Sequence, residues 1–535
     1  LGELTGRPSS QKNCAIGLLA VAAAALVAYG SVVTFGFVYD DHWTLVDNRA
    51  LEKPLAPLLR LLVTGQAALR HVPDATRPVM VVSMWLDRHA FGSAPFFYHV
   101  HSLALYVVAS AGAAFCAFAV SRRRWTAVFA GVLFAVFPVH AEVVAAVNYR
   151  EDLYAAIAIF YALAWLFWPR PVHDTAEHGA WISLLLLLGL LGKESTVAVV
   201  PLALVAAAVT RRGVVAWSFL RARRATLLGS AVTLASWGTY RAWLHAVGRD
   251  DVPLTLEHRT IADKVFRACR YLTRSTLEGV FPVSWSPDYA PLPPASALWS
   301  IPCLGVIALV VLLSRRRSFR TIAVGVAVAC VAGLPTSPLV SPINEVADRY
   351  VFVASLGGAI AWGAALDRAR AALATRRFAP WMMLAIIAAP LVALSWRAAA
   401  PWKSDVALWE TAIERAPDSW RAWTAWSRIL RLRGDLDGAD RAVETAISVG
   451  PTAFRPRVTQ VYNLLARGKV SEAKVAIDAI KRRGGAGQAG MRRAASCAEL
   501  SQAEAALCID EPVRRSGEAR SVTPAVDRSS EPAPD

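Results

Sequence analysis

Charge is what this sequence has little of. Only 18% of its 535 residues are Asp, Glu, Lys or Arg, against about a quarter in an average soluble domain, while 55% are hydrophobic and the mean hydropathy is positive. That balance excludes an ordinary soluble protein of this size and leaves a polytopic membrane protein. Acids are scarcer than bases, 40 against 57, giving a formal net charge of +17. The excess does not point to nucleic acid, because the arginines cluster in short stretches between apolar runs, where they set orientation across a bilayer. Cysteine is sparse too. Cys14, Cys116, Cys269, Cys303 and Cys330 lie in or near apolar segments without metal-like spacing and read as small buried residues. Cys497 and Cys508, in a polar C-terminal region, fit a local disulfide and two unbonded thiols equally. No small-residue cleavage motif followed by a soluble domain ends the first apolar run, so it reads as a retained anchor rather than a removed signal.

Eleven runs approach the roughly 17 to 25 residues that cross a membrane, near 14–38, 97–120, 125–139, 151–168, 179–192, 195–210, 225–247, 297–314, 321–340, 350–366 and 379–397. With the N-terminus inside, Arg122 to Arg124, Arg211-Arg212, Arg221 to Arg224, Arg315 to Arg320 and Arg368 to Arg377 all fall on the cytoplasmic side. The same alternation puts Asp40-Asp41, the segments 140–150 and 341–349, Gly192 to Ser195, the loop 248–296 and the whole C-terminus outside. Two outer stretches, around Leu58 to Leu69 and Ile261 to Leu277, read as amphipathic helices that lie in the interface, as lids or as lipid-resting connectors.

After Trp402 the pattern becomes that of a soluble helical domain. Pro417 and Pro451, Gly434 and Gly468, Ala439 and Ala473, and Ala442 and Ala476 are each 34 residues apart, the period of tetratricopeptide helix pairs. About two and a half repeats are expected over 401–485. Residues 486–535 read as a short helical extension and, from about Arg514, a disordered tail rich in Ser, Pro and charge.

The outer face collects the chemistry. Asp40 and Asp41 follow the first span directly, where two carboxylates can hold a proton, a metal or an acceptor hydroxyl; the alternative is a solvated turn or a cap in which Asp41 satisfies free amides. Arg77, His140, Glu142, Arg150, Glu151, Asp152, Lys193, Glu194, Glu345, Asp348 and Arg349 join them. Carboxylates suit a general base or a metal, and Arg and Lys suit a phosphate leaving group. Arg77, Lys193 and Arg349 are assigned to that phosphate on chemical grounds, and His140, Glu142, Arg150, Asp152, Glu194 and Asp348 to the surrounding pocket. His140-x-Glu142 reads either as a metal pair or as an interfacial hydrogen-bonded histidine, and His99-x-His101 as structural or interfacial.

The order Phe37-Val38-Tyr39-Asp40-Asp41, Arg77-Pro78, His99, Phe137 to Val144, Arg150-Glu151-Asp152-Leu153, Gly192-Lys193-Glu194 and Ala347-Asp348-Arg349-Tyr350, closed by the repeats, resembles the transmembrane and tetratricopeptide-repeat O-mannosyltransferases and their bacterial relatives in the GT-C class. The resemblance implies a polyprenyl- or dolichyl-phosphate-linked sugar donor, often mannose, and inverting transfer to an acceptor hydroxyl on the outer face. Asp40 and Asp41 take the place of the paired acids, one of them the base. Asp348 stands where the family usually has Glu, and the repeats are fewer. The mannosyl branch needs no metal while other GT-C enzymes do, which leaves a divalent metal open.

The expectation is thus an all-α polytopic protein with a GT-C-like membrane domain over 1–400 and a C-terminal repeat domain. It would move a sugar from a polyprenyl phosphate to an acceptor protein or glycan recruited by the repeats, in a bacterial inner membrane with catalytic loops and C-terminus in the periplasm. The rival is a non-catalytic, membrane-anchored tetratricopeptide scaffold for protein partners, which would need one helix rather than eleven. A transporter is a third reading, without the paired broken helices it would show.

Overall fold

The structure is a computed structural model that describes residues 8–69, 72–168, 175–210, 221–246, 260–292, 295–337, 346–372, 379–483 and 495–499. Glu345, Cys508, Arg211-Arg212 and the C-terminal tail lie outside the described residues, as do parts of the loops 248–296 and 341–349. Helices make up the fold, and among the described residues there is no strand. The chain divides into two units, Leu1–Trp285 with Leu292–Ala400, and Ser286–Pro291 with Pro401–Asp535.

The first unit contains α1 (Pro8–Tyr29), α2 (Leu55–Val63), α3 (Pro78–Phe91), α4 (Pro95–Ser121), α5 (Arg124–Ala135), α6 (Arg150–Leu166), α7 (Ala176–Gly192), α8 (Val199–Thr210), α9 (Arg224–Ala246), α10 (Ile261–Val280), α11 (Ser300–Arg315), α12 (Arg320–Ala332), α13 (Phe352–Ala372) and α14 (Ala379–Ala399). Their limits follow local chemistry. Pro78 and Pro95 occupy the first helical position of α3 and α4, where a missing amide costs nothing, and Gly92 ends α3 at φ 67°.

Small residues let the spans approach closely. A Cβ on Gly357 would overlap the Gly325 carbonyl and the Ala329 backbone, and one on Gly358 would overlap the Gly279 carbonyl, so α13 packs backbone to backbone on α12 and α10.

Among the described residues, six helical stretches are long and apolar enough to cross a bilayer: Cys14–Thr34, Pro95–Ser121, Ala297–Arg315, Arg317–Thr336, Asp348–Ala372 and Pro380–Lys403. A seventh arises if Arg124–Ala135 and Pro138–Ala145, bent by 53°, form one broken span. The chain is an integral membrane protein with six or seven such spans among the described residues, and the expected count of eleven is not confirmed. The remaining four stretches are helical and fall short for physical reasons. Helices α6 and α7 have 17 residues each, Glu194–Thr210 is similarly short, and α9 carries Arg224 and Arg241 among Ser, Thr and Gly.

The second unit is built of α15 (Asp405–Arg415), α16 (Trp420–Leu432), α17 (Leu436–Val449), α18 (Phe454–Ala466) and α19 (Val470–Arg482), each packed on its neighbour in sequence, and α16 also meets α18. Ser404, Ser419 and Asp435 cap α15, α16 and α17 with side-chain oxygens. The 34-residue period has a structural cause. Gly434 and Gly468 both adopt positive φ, 82° and 73°, and the following amides, of Asp435 and Lys469, reach back to the carbonyls of Leu430 and Leu464. Ala439 and Ala473 are both fully buried. The strap Ser286–Pro291 belongs to this unit: Asp288 accepts from the Arg421 guanidinium at 2.7 and 3.0 Å and from the Ser419 hydroxyl.

Candidate active site

Two breaks in helical structure build the site. After α1 a 3-10 helix covers Gly30–Thr34, the chain leaves helical structure over Phe35–Val38, and Tyr39 then turns it at φ 53°, a left-handed conformation unfavourable for a bulky side chain. After α5, Pro138 cannot continue the helix and the chain bends into the short helix Ala141–Ala145, then through Val147–Tyr149 into α6. Among the described residues only Tyr39, Asp74 and Arg122 are non-glycines with positive φ. Two of these three frame the site, which is where strained backbone concentrates.

The two adjacent aspartates face different surroundings. Asp41 is fully buried, and its carboxylate accepts backbone N–H bonds from Asn148 at 2.6 Å and from Val147 and Val38 at 3.3 Å. It ties the first outer loop to the turn before α6. Burial pushes its carboxyl up to about 7, against the pull of those amides and of His42. Asp40 is half-buried, and the Tyr149 hydroxyl donates to it at 3.3 Å. Burial keeps the Tyr149 phenol protonated well above its ordinary range, so it serves as a donor.

The same tyrosine touches the next group. The Arg349 guanidinium lies 4.3 Å from the Tyr149 ring centre, donates to Glu142, and its backbone amide donates to Glu142 at 2.9 Å. Asp40, Tyr149, Arg349 and Glu142 therefore form one continuous line of contacts drawn from four segments of the chain. Asp348, the neighbour of Arg349, is buried at the start of the same turn.

A second group is ionic. Arg77 donates to both oxygens of Glu194 at 2.8 and 3.1 Å, to Glu151 at 2.5 Å and to Asp74 at 3.3 Å, while Lys193 pairs with Asp152 at 2.6 Å and Glu151 at 2.8 Å. Four carboxylates thus surround two cations. Burial pushes the Asp74 carboxyl up to about 7, with Arg77 opposing and Glu151, Asp40 and Glu194 adding to the rise. Glu194 goes the other way: burial would raise it, but Arg77 and Lys193 hold it well below the usual carboxylate range.

Two expected pocket residues are turned elsewhere. His140 is fully buried with Nδ1 2.8 Å from the Tyr106 hydroxyl and Nε2 2.7 Å from Ser355 Oγ, among Phe134, Phe137 and Phe352. Both its nitrogens are engaged and Glu142 faces Arg349, so the His140-x-Glu142 pair does not fit a metal. Among the described residues no three His, Cys, Asp or Glu side chains are arranged to hold one. Arg150 is also fully buried, in a separate knot. It donates to Asp87 and Ser83 at 2.7 Å, to the Tyr98 carbonyl at 2.8 Å and to Ser102 at 3.1 Å, joining α3, α4 and α6. His99 lies 3.3 Å from the Gly36 carbonyl, at the base of the Asp40 loop.

Tyr149 and Asp74 were not among the residues singled out from sequence. Tyr149 lies directly before Arg150-Glu151-Asp152, so a reading that extended that motif by one residue would have included it. Asp74 carries no such signal, since its place beside Arg77 depends on the turn between them.

No family model matches the chain and no solved structure matches it. Curated proteins do. The chain is 35% identical over 197 residues to protein O-mannosyl-transferase Tmtc1 of Drosophila melanogaster, covering 35% of this chain and 22% of that one. It is 30% identical over 188 residues to protein O-mannosyl-transferase TMTC1 of Homo sapiens, covering 33% of this chain and 21% of that one. A further relative, Tmtc2 of Drosophila melanogaster, is 29% identical over 185 residues. The matched region spans about a fifth of the length of these relatives. The likeness read from the order of short motifs is therefore borne out: over about a third of its length, this membrane protein is similar to the TMTC protein O-mannosyl-transferases.

Proposed function

We propose that the chain is a membrane glycosyltransferase of GT-C type that moves a sugar, mannose by its relatives' names, from a polyprenyl phosphate to a protein hydroxyl. The observation that carries this reading is the line Asp40, Tyr149, Arg349. It sets a half-buried carboxylate at the hydroxyl and a guanidinium at the ring of one tyrosine. In an inverting displacement the acceptor oxygen attacks the anomeric carbon as the bond to phosphate breaks, so proton acceptor and leaving-group partner must stand apart. Asp40 takes the acceptor's proton, and Arg349 receives the charge left on the polyprenyl phosphate.

The division of labour between the aspartates follows from their surroundings. Asp41, enclosed and engaged by three amides, cannot reach a substrate and acts as a positioning residue for the loop that presents Asp40. Among the three basic candidates, Arg349 has the better claim to the phosphate. Arg77 and Lys193 sit among four carboxylates, whose excess negative charge would repel an anion, whereas the ion pair that Arg349 makes among the described residues is with one carboxylate, Glu142. Arg77 and Lys193 then hold α6 and α7 around the site. The second unit, with its helix pairs, would recruit the acceptor. The Arg- and Ala-rich composition favours a bacterial inner membrane, and arginine-rich loops on the cytoplasmic side would put the site in the periplasm.

The test is transfer of labelled mannose from polyprenyl-phosphate-mannose by the purified full chain in lipid nanodiscs, in the presence of an extracytoplasmic protein extract. Label should reach protein with the wild type and not with Asp40→Asn, and Arg349→Met should weaken donor binding. Undiminished transfer by Asp40→Asn would overturn the assignment of the base, and no donor binding by the wild type would overturn the reading itself.

A further inference from the structure

Arginines from three span ends are gathered onto one helix. The stretches 122–124, 315–320 and 367–370 together hold nine arginines and one acid, Asp367. They meet because α5 and α12 both pack on α13. Asp367, near the end of α13, is buried; it accepts from the Thr126 hydroxyl of α5 at 3.2 Å and pairs with Arg123 at 3.2 Å and with Arg370 at 2.9 Å. Toward α12, Arg368 donates to the Ser318 carbonyl, and its guanidinium lies 4.4 Å from the Phe319 ring centre. One helix end thus fastens two arginine loops.

Helix length fixes the level of this face in the bilayer. Helix α13 begins at Phe352, three residues after Arg349, and runs for 21 residues, roughly 30 Å, the thickness of a hydrocarbon core. The arginine face therefore lies among the headgroups of the leaflet opposite the candidate active site. Its surface suits phosphate. Arg124 and Arg315 to Arg317 are exposed, and the Arg123 side chain stays 54% exposed while paired to Asp367. The guanidinium carbons of Arg124 and Arg370 each lie 5.7 Å from the Trp125 ring centre, and Trp125 meets Trp381 of α14 edge-on at 5.3 Å. Indole rings at span ends sit at headgroup level, and a guanidinium presents paired donors to a phosphate. Asp367 offsets only one of the nine positive charges, so the face attracts anions from outside.

We propose that Arg123, Arg124 and Arg370, beside Trp125, bind the phosphate of an anionic phospholipid in the leaflet opposite the candidate active site. The occupant is a bilayer phospholipid because the site opens at the level where that leaflet's phosphates lie, on elements that are themselves span ends. Buried Asp367 sets the positions of Arg123 and Arg370, and Arg315 to Arg317 extend the positive field along the same face. The bound lipid would neutralise charges that otherwise repel one another across α5, α12 and α13.

The experiment titrates the purified full chain, in a neutral detergent, with phosphatidylglycerol or with phosphatidylcholine of the same acyl chains, and counts retained lipid by native mass spectrometry. The wild type should hold phosphatidylglycerol in preference. Arg124→Gln, which leaves the Asp367 pairs in place, should weaken that binding about five-fold, the worth of one arginine at an anionic surface, and Arg124→Lys should stay close to wild type. Arg60→Gln, at an exposed position of α2, should bind as the wild type does. Equal retention of the two lipids, undiminished binding by Arg124→Gln, or an equal loss with Arg60→Gln would overturn the proposal. Preferential binding of a polyprenyl phosphate, lost with Arg124→Gln, would overturn the choice of occupant.

Discussion

Replacing Asp41 by Asn should unfold what replacing Asp40 by Asn merely silences. In the wild type, Asp41 offers one oxygen to Asn148 at 2.6 Å and the other to Val147 and Val38 at 3.3 Å. An amide has one acceptor and one donor, so in its better orientation Asn keeps the short bond and turns an NH2 group toward two buried N–H groups. Each buried donor left unpaired costs about 1–3 kcal/mol, and the two long bonds are at the weak end, which gives about 2–4 kcal/mol for the substitution. Asp40 is only half-buried and accepts from the Tyr149 hydroxyl at 3.3 Å, a bond that an Asn oxygen can also accept, so its replacement should cost less stability than that of Asp41. Removing a general base from the reaction costs about 100- to 10,000-fold in rate. The assay is thermal unfolding in detergent by tryptophan fluorescence, beside single-turnover transfer from the labelled donor. A marked fall in unfolding temperature with Asp41→Asn, and an unchanged unfolding temperature without transfer for Asp40→Asn, is the expected pair. Asp41→Asn as stable as wild type would refute the clamp, and the reverse assignment of the two effects would refute the division of roles.

Other consequences follow from the same geometry. Arg150→Met should lower the folding stability by about 3–5 kcal/mol, because it leaves Asp87 buried with one fewer cation; size-exclusion profiles after mild heating would reveal it, and a normal profile would mean the knot is dispensable. Lys193→Met strips the cation shared by Glu151 and Asp152 and should destabilise by a similar amount, with Lys193→Arg largely restoring the melting temperature. Gly357→Val should disrupt the contact of α12 with α13, where no Cβ can be seated, and an ordinary yield of folded variant would contradict that packing. For Asp74 the sign runs with acid. Its folded pKa, about 7, lies above the ordinary 3.8, so its contribution is fully present below about pH 4 and is lost as pH rises toward 7. Asp74→Asn should flatten the decline in unfolding temperature between pH 5 and 8, and an unchanged slope would show that another group is responsible.

Much of the architecture was legible without coordinates because membrane insertion and helix repeats leave regular marks. Apolar length reveals which stretches are helical in lipid, and the 34-residue recurrence of Gly434 and Gly468 follows from a left-handed turn that each helix pair needs at the same place. The number of spans was harder, since α6, α7 and α9 are helical and apolar by turns yet too short or too polar to cross alone. Their fate depends on what packs beside them, and no count of hydrophobic residues contains that information.

The sequence by itself determined an all-helical integral membrane protein, a likeness to the O-mannosyl-transferases and the set of polar residues worth examining, because composition, periodicity and motif order are properties of the chain. It also framed the choice at Asp40-Asp41 between chemistry and capping. Only the tertiary structure decided where these groups stand: Asp41 against amides more than a hundred residues away, Arg150 in a knot with Asp87, His140 among aromatic rings, and Tyr149 between Asp40 and Arg349. The reason is physical. A charged side chain takes its role from the partners and water around it, and those are supplied by segments that meet only when the helices pack.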